Sequence, residues 1–511
     1  MLSVTDPAAP APCPAPFNLA RHVLAAAGER PDHIALQVVR PDGAERWSHA
    51  RLAAAVQGVA MGLAEEGLRP GDRVLLRLGN GVAFPLAFLG AIAGGFVPVP
   101  TAAGLTAAEV ARLCAQVRPA LIVAGAGAAL PEAPPCPVLD EAELRGFEGR
   151  PAHDWAMGDA DRLAYIVFTS GTSGSPRAVA HAHRAVWARH MMRVGWHAIG
   201  PEDRVMHAGA LNWTYTLGVG LFDPWAVGAT ALIPAEGVAV EQLPLLARRF
   251  DATVFAAVPG VFRRILAQGN NLALPRLRHG LSAGEKLPPT LRARWRTATG
   301  TDLHEAMGLS ECSTFLSSSP ARPAPDGATG YPQPGRRVAV LGPDGTPVPR
   351  GEPGLLAVHR SDPGLFLGTC DGETITPVSD DWFQTGDMVV MAEDGAITSL
   401  GRADDMLTAG GFRISPAEIE AAMAACPGVT ATAAVELPVK ADTTVIALFY
   451  AGEAAETTLA AHATSHLARY KQPRLYLRQS WTHRLGQRTH SEELVEIEVP
   501  AVEDILRVHM H

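Results

Sequence analysis

Tyr165-Ile-Val-Phe-Thr169-Ser-Gly-Thr-Ser-Gly-Ser-Pro-Arg177 sets a short apolar strand, Tyr165–Phe168, directly before a loop of glycines and small hydroxyls. Gly171 and Gly174 permit backbone angles that larger residues resist. Thr169, Ser170, Thr172, Ser173 and Ser175 bring hydroxyls, the loop backbone brings N–H donors, and Arg177 brings a fixed positive charge. Such a loop suits a polyanion, for example the triphosphate of ATP. A Gly/Ser-rich surface turn has the same composition. A Walker loop is excluded, because Gly-x-x-x-x-Gly-Lys-Ser/Thr does not fit.

Working outward, strands alternate with helices on both sides of this loop. Before it come a helix at Asn18–Ala27, a strand at Ile34–Val39, and a helix at Ser48–Glu66 opened by Ser48 as N-cap. A strand at Asp72–Leu78, an apolar helix from Val82, a helix at Ala107–Val117 and a strand at Leu121–Ala124 follow. After it, helices are expected at Ala182–Val194, Leu211–Gly228, Glu241–Phe250 and Val261–Gln268. The strands among them are Arg204–Ala208, Ala229–Ile233, Ala252–Ala257 and His279–Ser282. Alternation of this kind predicts an α/β domain of helix-covered, mostly parallel sheets.

From about Pro320 the texture changes to Pro- and Gly-crowded, short β-rich segments, a small β-rich subdomain over about 320–400. Residues 1–16, rich in Ala and Pro, are expected to be a loose arm, and 17–400 the large N-terminal domain. A composition break at Gly401–Asp405 leads into a small α/β C-terminal domain over 401–511.

At 511 residues the chain exceeds what one core holds, so two or more domains are expected. Net charge is −9 with no basic tract, which argues against nucleic acid or an anionic membrane as partner. Cys13, Cys114, Cys136, Cys312, Cys370 and Cys426 have no metal-like or paired spacing, as expected of reduced thiols in the cytoplasm. The N-terminus lacks a basic and an apolar region of the signal-peptide kind. Uncharged Val82–Pro100 is broken by Pro and Gly, so it reads as a buried helix running into a core strand rather than a membrane span. Only Lys286, Lys440 and Lys471 are lysines, a bias that favours Arg wherever a cation is needed.

Three further stretches carry chemistry. In His304–Ser313, His-Glu-Ala-Met-Gly-Leu-Ser-Glu-Cys-Ser, Glu311 is a carboxylate suited to hold Mg²⁺ against phosphate oxygens. A helix N-terminus capped by Ser310 is the alternative. In Trp382–Asp387, an Asp after Gly at a strand end can accept two hydrogen bonds from ribose hydroxyls, as a β-turn Asp also could. Gly401–Glu420 contains Gly-Arg-x-Asp-Asp followed by Gly-Gly, and ends on a helix with Ser415 as cap and Pro416 at its first position.

These four stretches, in this order over roughly residues 20–475, resemble the adenylate-forming (AMP-binding) enzymes. That superfamily comprises acyl-CoA synthetases, luciferases and peptide-synthetase adenylation domains. The resemblance implies that Thr169, Ser170, Gly171, Thr172, Ser173, Gly174 and Arg177 hold the phosphates of ATP, and that Glu311 binds Mg²⁺. It implies Gly284 and Glu285 beside the purine, with Met307, Gly308 and Ser310 completing the nucleotide site; Met307 stands where an aromatic residue is usual. Asp387 would hold the ribose with help from Arg402, Asp404 would be the hinge of a mobile C-terminal domain, and Gly410 and Gly411 would guide the pantetheine arm of CoA. Trp213, Thr214, Tyr215, Ala283 and Leu309 would line the acyl pocket, with Trp213 and Tyr215 as simple core residues the alternative.

One departure is visible: Gln487 occupies the position of the family's C-terminal catalytic lysine. The implied reaction is carboxylate + ATP + CoA → acyl-CoA + AMP + pyrophosphate, for a small-to-medium apolar acid. The alternatives are loading of a carrier-protein phosphopantetheine, or nucleotide or acyl-adenylate binding with adenylation impaired by Gln487.

Overall fold

A computed structural model describes residues 1–8, 10–169, 176–269, 272–403, 407–409, 412–440, 443–467 and 471–478. Its largest sheet is built from the short apolar runs. Ile34–Val39, Thr230–Pro234, Arg204–His207, Val254–Ala257, His279–Ser282 and Leu303–Leu309 pair side by side in that order, all parallel. Ala44–Ser48 closes one edge antiparallel; Ser313–Ser317 and Tyr331–Pro332 close the other.

The central strands are almost wholly buried because both faces are covered. Met206, Phe255 and Ala257 pack with the helices Leu243–Arg249, Pro259–Ala267 and Pro289–Thr299. Val205, Val254 and Ala256 pack with Tyr215 and Val219 on the opposite face. Arg204–His207 is followed in sequence by its neighbour on one side, and the chain then crosses to Val254–Ala257 on the other. The crevice at such a reversal, beyond the carboxyl ends of the strands, is where open α/β sheets bind ligands.

A second sheet, Val97–Pro100, Arg73–Arg77, Leu121–Ala124 and Val138–Asp140, is also parallel. It shares a core with an antiparallel sheet of Leu163–Thr169, Arg177–Ala182, Gly368–Asp371 and Thr374–Thr376. Every residue of the helix Ala83–Ala93 is buried, which explains its uncharged composition. Among the described residues no helix is long and apolar enough to cross a membrane.

The β-rich segment forms a four-stranded antiparallel sheet of Val338–Leu341, Pro353–His359, Trp382–Met391 and Ile397–Arg402. The last strand runs through Gly401 and Arg402, so the composition break begins inside it. Beyond it, Leu407–Ala409, Phe412–Ile414, Val429–Lys440, Thr443–Gly452 and Leu475–Arg478, with helices Pro416–Ala424 and Glu456–His466, enclose a core of their own.

Four expectations need correction, the first being Asn18–Ala27, which is two short helices, Leu19–Val23 and Ala26–Glu29, rather than one. The arm is not loose at residues 2–5. The Ser3 and Thr5 amides donate to Val348 and Val338 at 2.8 Å each, the Val340 amide donates back to Ser3, and Ser3 is fully buried. The exposed edge of Val338–Leu341 has unpaired backbone groups, and the arm satisfies them. Ala182–Val194 is not one helix: Ala182 ends a strand, and Arg184–Trp187, His190–Met192 and a π-turn at Arg193–His197 follow. Leu211–Gly228 likewise breaks into Thr214–Leu217, a π-turn at Gly218–Phe222, and Asp223–Ala226.

Candidate active site

Leu163–Thr169 and Arg177–Ala182, the two strands on either side of the Gly/Ser-rich stretch, are adjacent and antiparallel. Thr169 and Arg177 face each other across the pair. Ser170, Gly171, Thr172, Ser173 and Gly174 lie outside the described residues. The Thr169 hydroxyl is buried at the mouth of the loop and has no partner among the described residues. A buried polar atom in that state asks for a ligand or water.

Glu311 lies in the turn between Leu303–Leu309 and Ser313–Ser317, which pair as a tight hairpin with a register shift at Met307/Gly308. Ser310 therefore begins a hairpin turn and caps no helix, which removes that alternative. A Cβ on Gly308 would lie 2.2 Å from the Ser313 carbonyl oxygen, so the close crossing of the two strands demands glycine. The Glu311 carboxylate is largely buried, with an Arg177 Nη2 at 3.5 Å. Burial raises its pKa above the ordinary carboxylate value; Arg177 and Arg402 oppose that rise and Asp387 adds to it.

Asp387 and Arg402 are cross-strand partners in the β-rich sheet, 3.6 Å apart. Arg402 donates to the Thr385 carbonyl at 2.7 Å, and the Asp387 amide donates to the Thr385 hydroxyl at 3.1 Å. Gly386 sits at φ +80°, and a Cβ there would meet the Arg402 guanidinium at 2.5 Å. Arg177, Glu311, Asp387 and Arg402, from four separate stretches of sequence, are thus brought close enough for the Glu311 carboxylate to sense the charge of the other three.

The turn after His279–Ser282 approaches from the main sheet. Gly284 takes φ +94°, Glu285 lies 3.4 Å from Arg263, and Lys286 Nζ donates to the Ser399 carbonyl of the β-rich sheet at 2.9 Å. The Leu287 amide donates to buried Glu305 at 2.9 Å, and Arg292 lies 3.2 Å from the same carboxylate. Sequence reading passed over Glu305, because nothing in the sequence around it marks a carboxylate that holds a turn nearly twenty residues upstream.

Burial pushes the Glu305 carboxyl up to about 7, against the pull of Leu287 and Arg292. Its contribution to stability is full below the unfolded carboxylate value near 4.5 and is lost as pH rises through about 7. Glu305→Gln keeps an acceptor for Leu287 and removes the titration. Urea unfolding of both proteins between pH 4.5 and 8 is expected to show the wild type losing up to about 3 kcal/mol relative to the variant. A difference constant with pH would refute the assignment.

The five expected acyl-pocket residues take different surroundings. Tyr215 is buried, donates to the Leu281 carbonyl at 3.0 Å, stands edge-on to His207 at 4.4 Å, and shares a core cluster with Ala283. Thr214 lines a small cavity behind the Glu311 hairpin, with room for about one water molecule, together with Tyr165, His181, Arg189 and Ser313. Leu309 and Met307 are half-buried against the main core. Trp213 is 50% exposed. His207 is held neutral, its pKa pushed down to about 3 by burial, and its Nε2 has no partner among the described residues. Asp404, Gly410, Gly411 and Gln487 lie outside the described residues; Ala409 and Phe412, which flank the two glycines, pair with each other.

Residues 23–368 match the family AMP-binding enzyme. The chain belongs to that family. It is 29% identical over 498 residues to benzoate–CoA ligase of Thauera aromatica, an alignment covering 89% of this chain and 90% of the relative. It is 31% identical over 402 residues to 4-hydroxybenzoate–CoA/benzoate–CoA ligase of Rhodopseudomonas palustris, covering 74% and 73%. Among solved structures, a benzoate CoA ligase of Burkholderia xenovorans superposes with a TM-score of 0.78 at 25% identity, covering 93% of this chain and 98% of that one. This AMP-binding enzyme stands in the acyl-CoA synthetase branch, the AMP-forming acid–thiol ligases, which use ATP, Mg²⁺ and CoA.

Magnesium fits the donor set. Among the described residues no group of three His, Cys, Asp or Glu side chains could hold a metal unaided. Mg²⁺ is characteristically bound by one or two carboxylates plus substrate phosphates, and Glu311 offers one largely buried carboxylate 3.5 Å from Arg177.

Proposed function

We propose that this enzyme activates an aromatic carboxylic acid of about benzoate size as its acyl-adenylate and then transfers the acyl group to CoA. The observation that carries the reading is the setting of Glu311, a buried carboxylate within reach of Arg177 and sensing the Asp387–Arg402 pair. The relatives named for benzoate and hydroxybenzoate support the acid class. We assign half-exposed Trp213 and buried Tyr215 to the aromatic surface that a flat ring would meet.

In this reading Asp387 accepts hydrogen bonds from the ribose hydroxyls while Arg402 fixes its carboxylate. Thr169 to Gly174 and Arg177 surround the phosphates, Glu311 and phosphate oxygens hold Mg²⁺, and Gly284, Glu285, Met307, Gly308 and Ser310 border the base. When bound, Mg²⁺ offsets charge on the phosphate oxygens. A carboxylate oxygen of the acid attacks the α-phosphorus, the bond to the bridging oxygen breaks, and pyrophosphate leaves with that electron pair. Arg177, beside Glu311, stabilises the growing negative charge. The CoA thiolate then attacks the acyl carbon and AMP departs with the C–O electrons. We assign Gly410 and Gly411 to the thiol's approach, Asp404 to the hinge, Trp213, Thr214, Tyr215, Ala283 and Leu309 to the acyl pocket, 401–511 to the mobile C-terminal domain, and the enzyme to the cytoplasm.

Gln487 in the lysine's place favours a second reading, a protein that binds nucleotide or acyl-adenylate with weak adenylation, since a neutral amide cannot offset two crowded anions. Pyrophosphate–ATP exchange over benzoate, hydroxybenzoates, aminobenzoates and medium-chain aliphatic acids separates the two. Exchange strongest with a benzoate-sized aromatic acid, followed by thioester formation with CoA in preference to a carrier phosphopantetheine, is the expected result. No exchange with any acid, alongside retained acyl-AMP binding, would establish the second reading.

A further inference from the structure

Resting on the reading of Glu311 as the magnesium ligand, we propose that two buried arginine–aspartate pairs, Arg189–Asp223 and Arg336–Asp362, are positioning residues that set the hairpin turn carrying it. None of the four belongs to the motifs that mark the site. Arg189 grips Asp223 with two hydrogen bonds of 2.6 and 2.7 Å, both side chains buried, and spends its remaining Nη1 on the Ser313 hydroxyl at 2.8 Å. Arg336 and Asp362 are wholly buried and hydrogen-bonded; Arg336 also donates to the Thr314 carbonyl at 3.1 Å and to Cys312 Sγ at 3.8 Å. Asp362 accepts from the Gly364 amide at 2.8 Å, and two residues on, the Phe366 amide donates to the Glu311 carbonyl at 2.7 Å. Residues 311 to 314 are thus each held at one atom, from two sides.

Two features say that this is placement rather than stability. A buried ion pair gains little over a well-packed apolar pair, because desolvation cancels most of the attraction. Ser313 is held at φ +56°, a left-handed conformation that a serine adopts at a cost and that the Arg189 contact sustains. The surroundings are shaped to the same end: a Cβ on Gly218 would lie 2.1 Å from Arg189 Nη2, so the π-turn that breaks the expected helix makes room for the guanidinium. The charges acting on the Glu311 carboxylate come from Arg177, Arg402 and Asp387, so the two pairs work through the turn's geometry.

Ser313→Ala removes the acceptor of Arg189 and leaves both ion pairs in place; Ser313→Gly removes it and relieves the left-handed strain as well. Binding of Mn²⁺·ATP, followed by electron paramagnetic resonance of the manganese, is compared with binding of ATP in EDTA. Both variants are expected to weaken Mn²⁺·ATP about tenfold while metal-free ATP binding moves less than about twofold. Should Ser313→Ala fail to fold, Ser313→Gly carries the test. Unchanged Mn²⁺·ATP binding in the folded variant, with Glu311→Gln weakening it, overturns the positioning role and leaves the magnesium reading intact. Unchanged binding in Glu311→Gln itself overturns the magnesium reading, and the positioning role with it.

Discussion

Glu311→Gln is expected to lower pyrophosphate–ATP exchange by about two to three orders of magnitude while thioester formation from supplied acyl-AMP falls by less than about threefold. The amide is nearly isosteric, so the hairpin, its glycine crossing and the Arg177 contact survive the change. What is lost is the only charge the turn presents to the phosphates. In the wild type burial and Asp387 both oppose ionisation, while a backbone N–H hydrogen bond, Arg177 and Arg402 favour it, and burial prevails. Adenylation should therefore decline on acidification sooner than an ordinary carboxylate would dictate, because a raised pKa brings the neutral form in at higher pH. The second half-reaction has no triphosphate to bind, which is why it is spared. Equal loss in both half-reactions would show that Glu311 supports the fold of the cleft and is no ligand.

Gly308→Ala is expected to cost on the order of 3 kcal/mol in stability and to abolish exchange in whatever fraction folds. A methyl group there would meet the carbonyl oxygen of Ser313 at 2.2 Å and the Cα of Thr314 at 2.6 Å, both backbone atoms with no side-chain freedom to yield. The strands must part, and the turn bearing Glu311 moves with them. Gly28 and Gly43 make the contrast, for a Cβ on either meets nothing within 4 Å. Gly43→Ala should leave urea unfolding and exchange near the wild-type values, and an equal response at Gly308 would remove the steric argument.

Elements whose causes lie in their own few residues were read nearly to the residue. Ala107–Val117 is opened by a Thr106–Glu109 capping box, and Ile34–Val39 is a nearly all-apolar run bounded by turn formers. The helix at Pro289–Thr299 was not read, because its few apolar residues bury only Leu291, Trp295 and Ala298 and leave a polar, arginine-rich exterior. The same limit applies to Glu305 and to the Arg189–Asp223 and Arg336–Asp362 pairs, each made between residues at least a dozen positions apart.

By itself the sequence determined the chemistry: a glycine- and hydroxyl-rich loop, a carboxylate in Gly-x-Ser-Glu, an aspartate after Thr-Gly, and the order in which they come, all properties of short stretches. Tertiary structure alone decided their meeting. Arg177 reaches Glu311 because a hairpin end of one sheet abuts the turned edge of another, and Asp387 faces Arg402 because two strands of a third sheet run antiparallel. It also decided where helices must break and where the arm must bind, since a buried guanidinium and an unpaired strand edge impose demands that residues nearby in sequence do not announce.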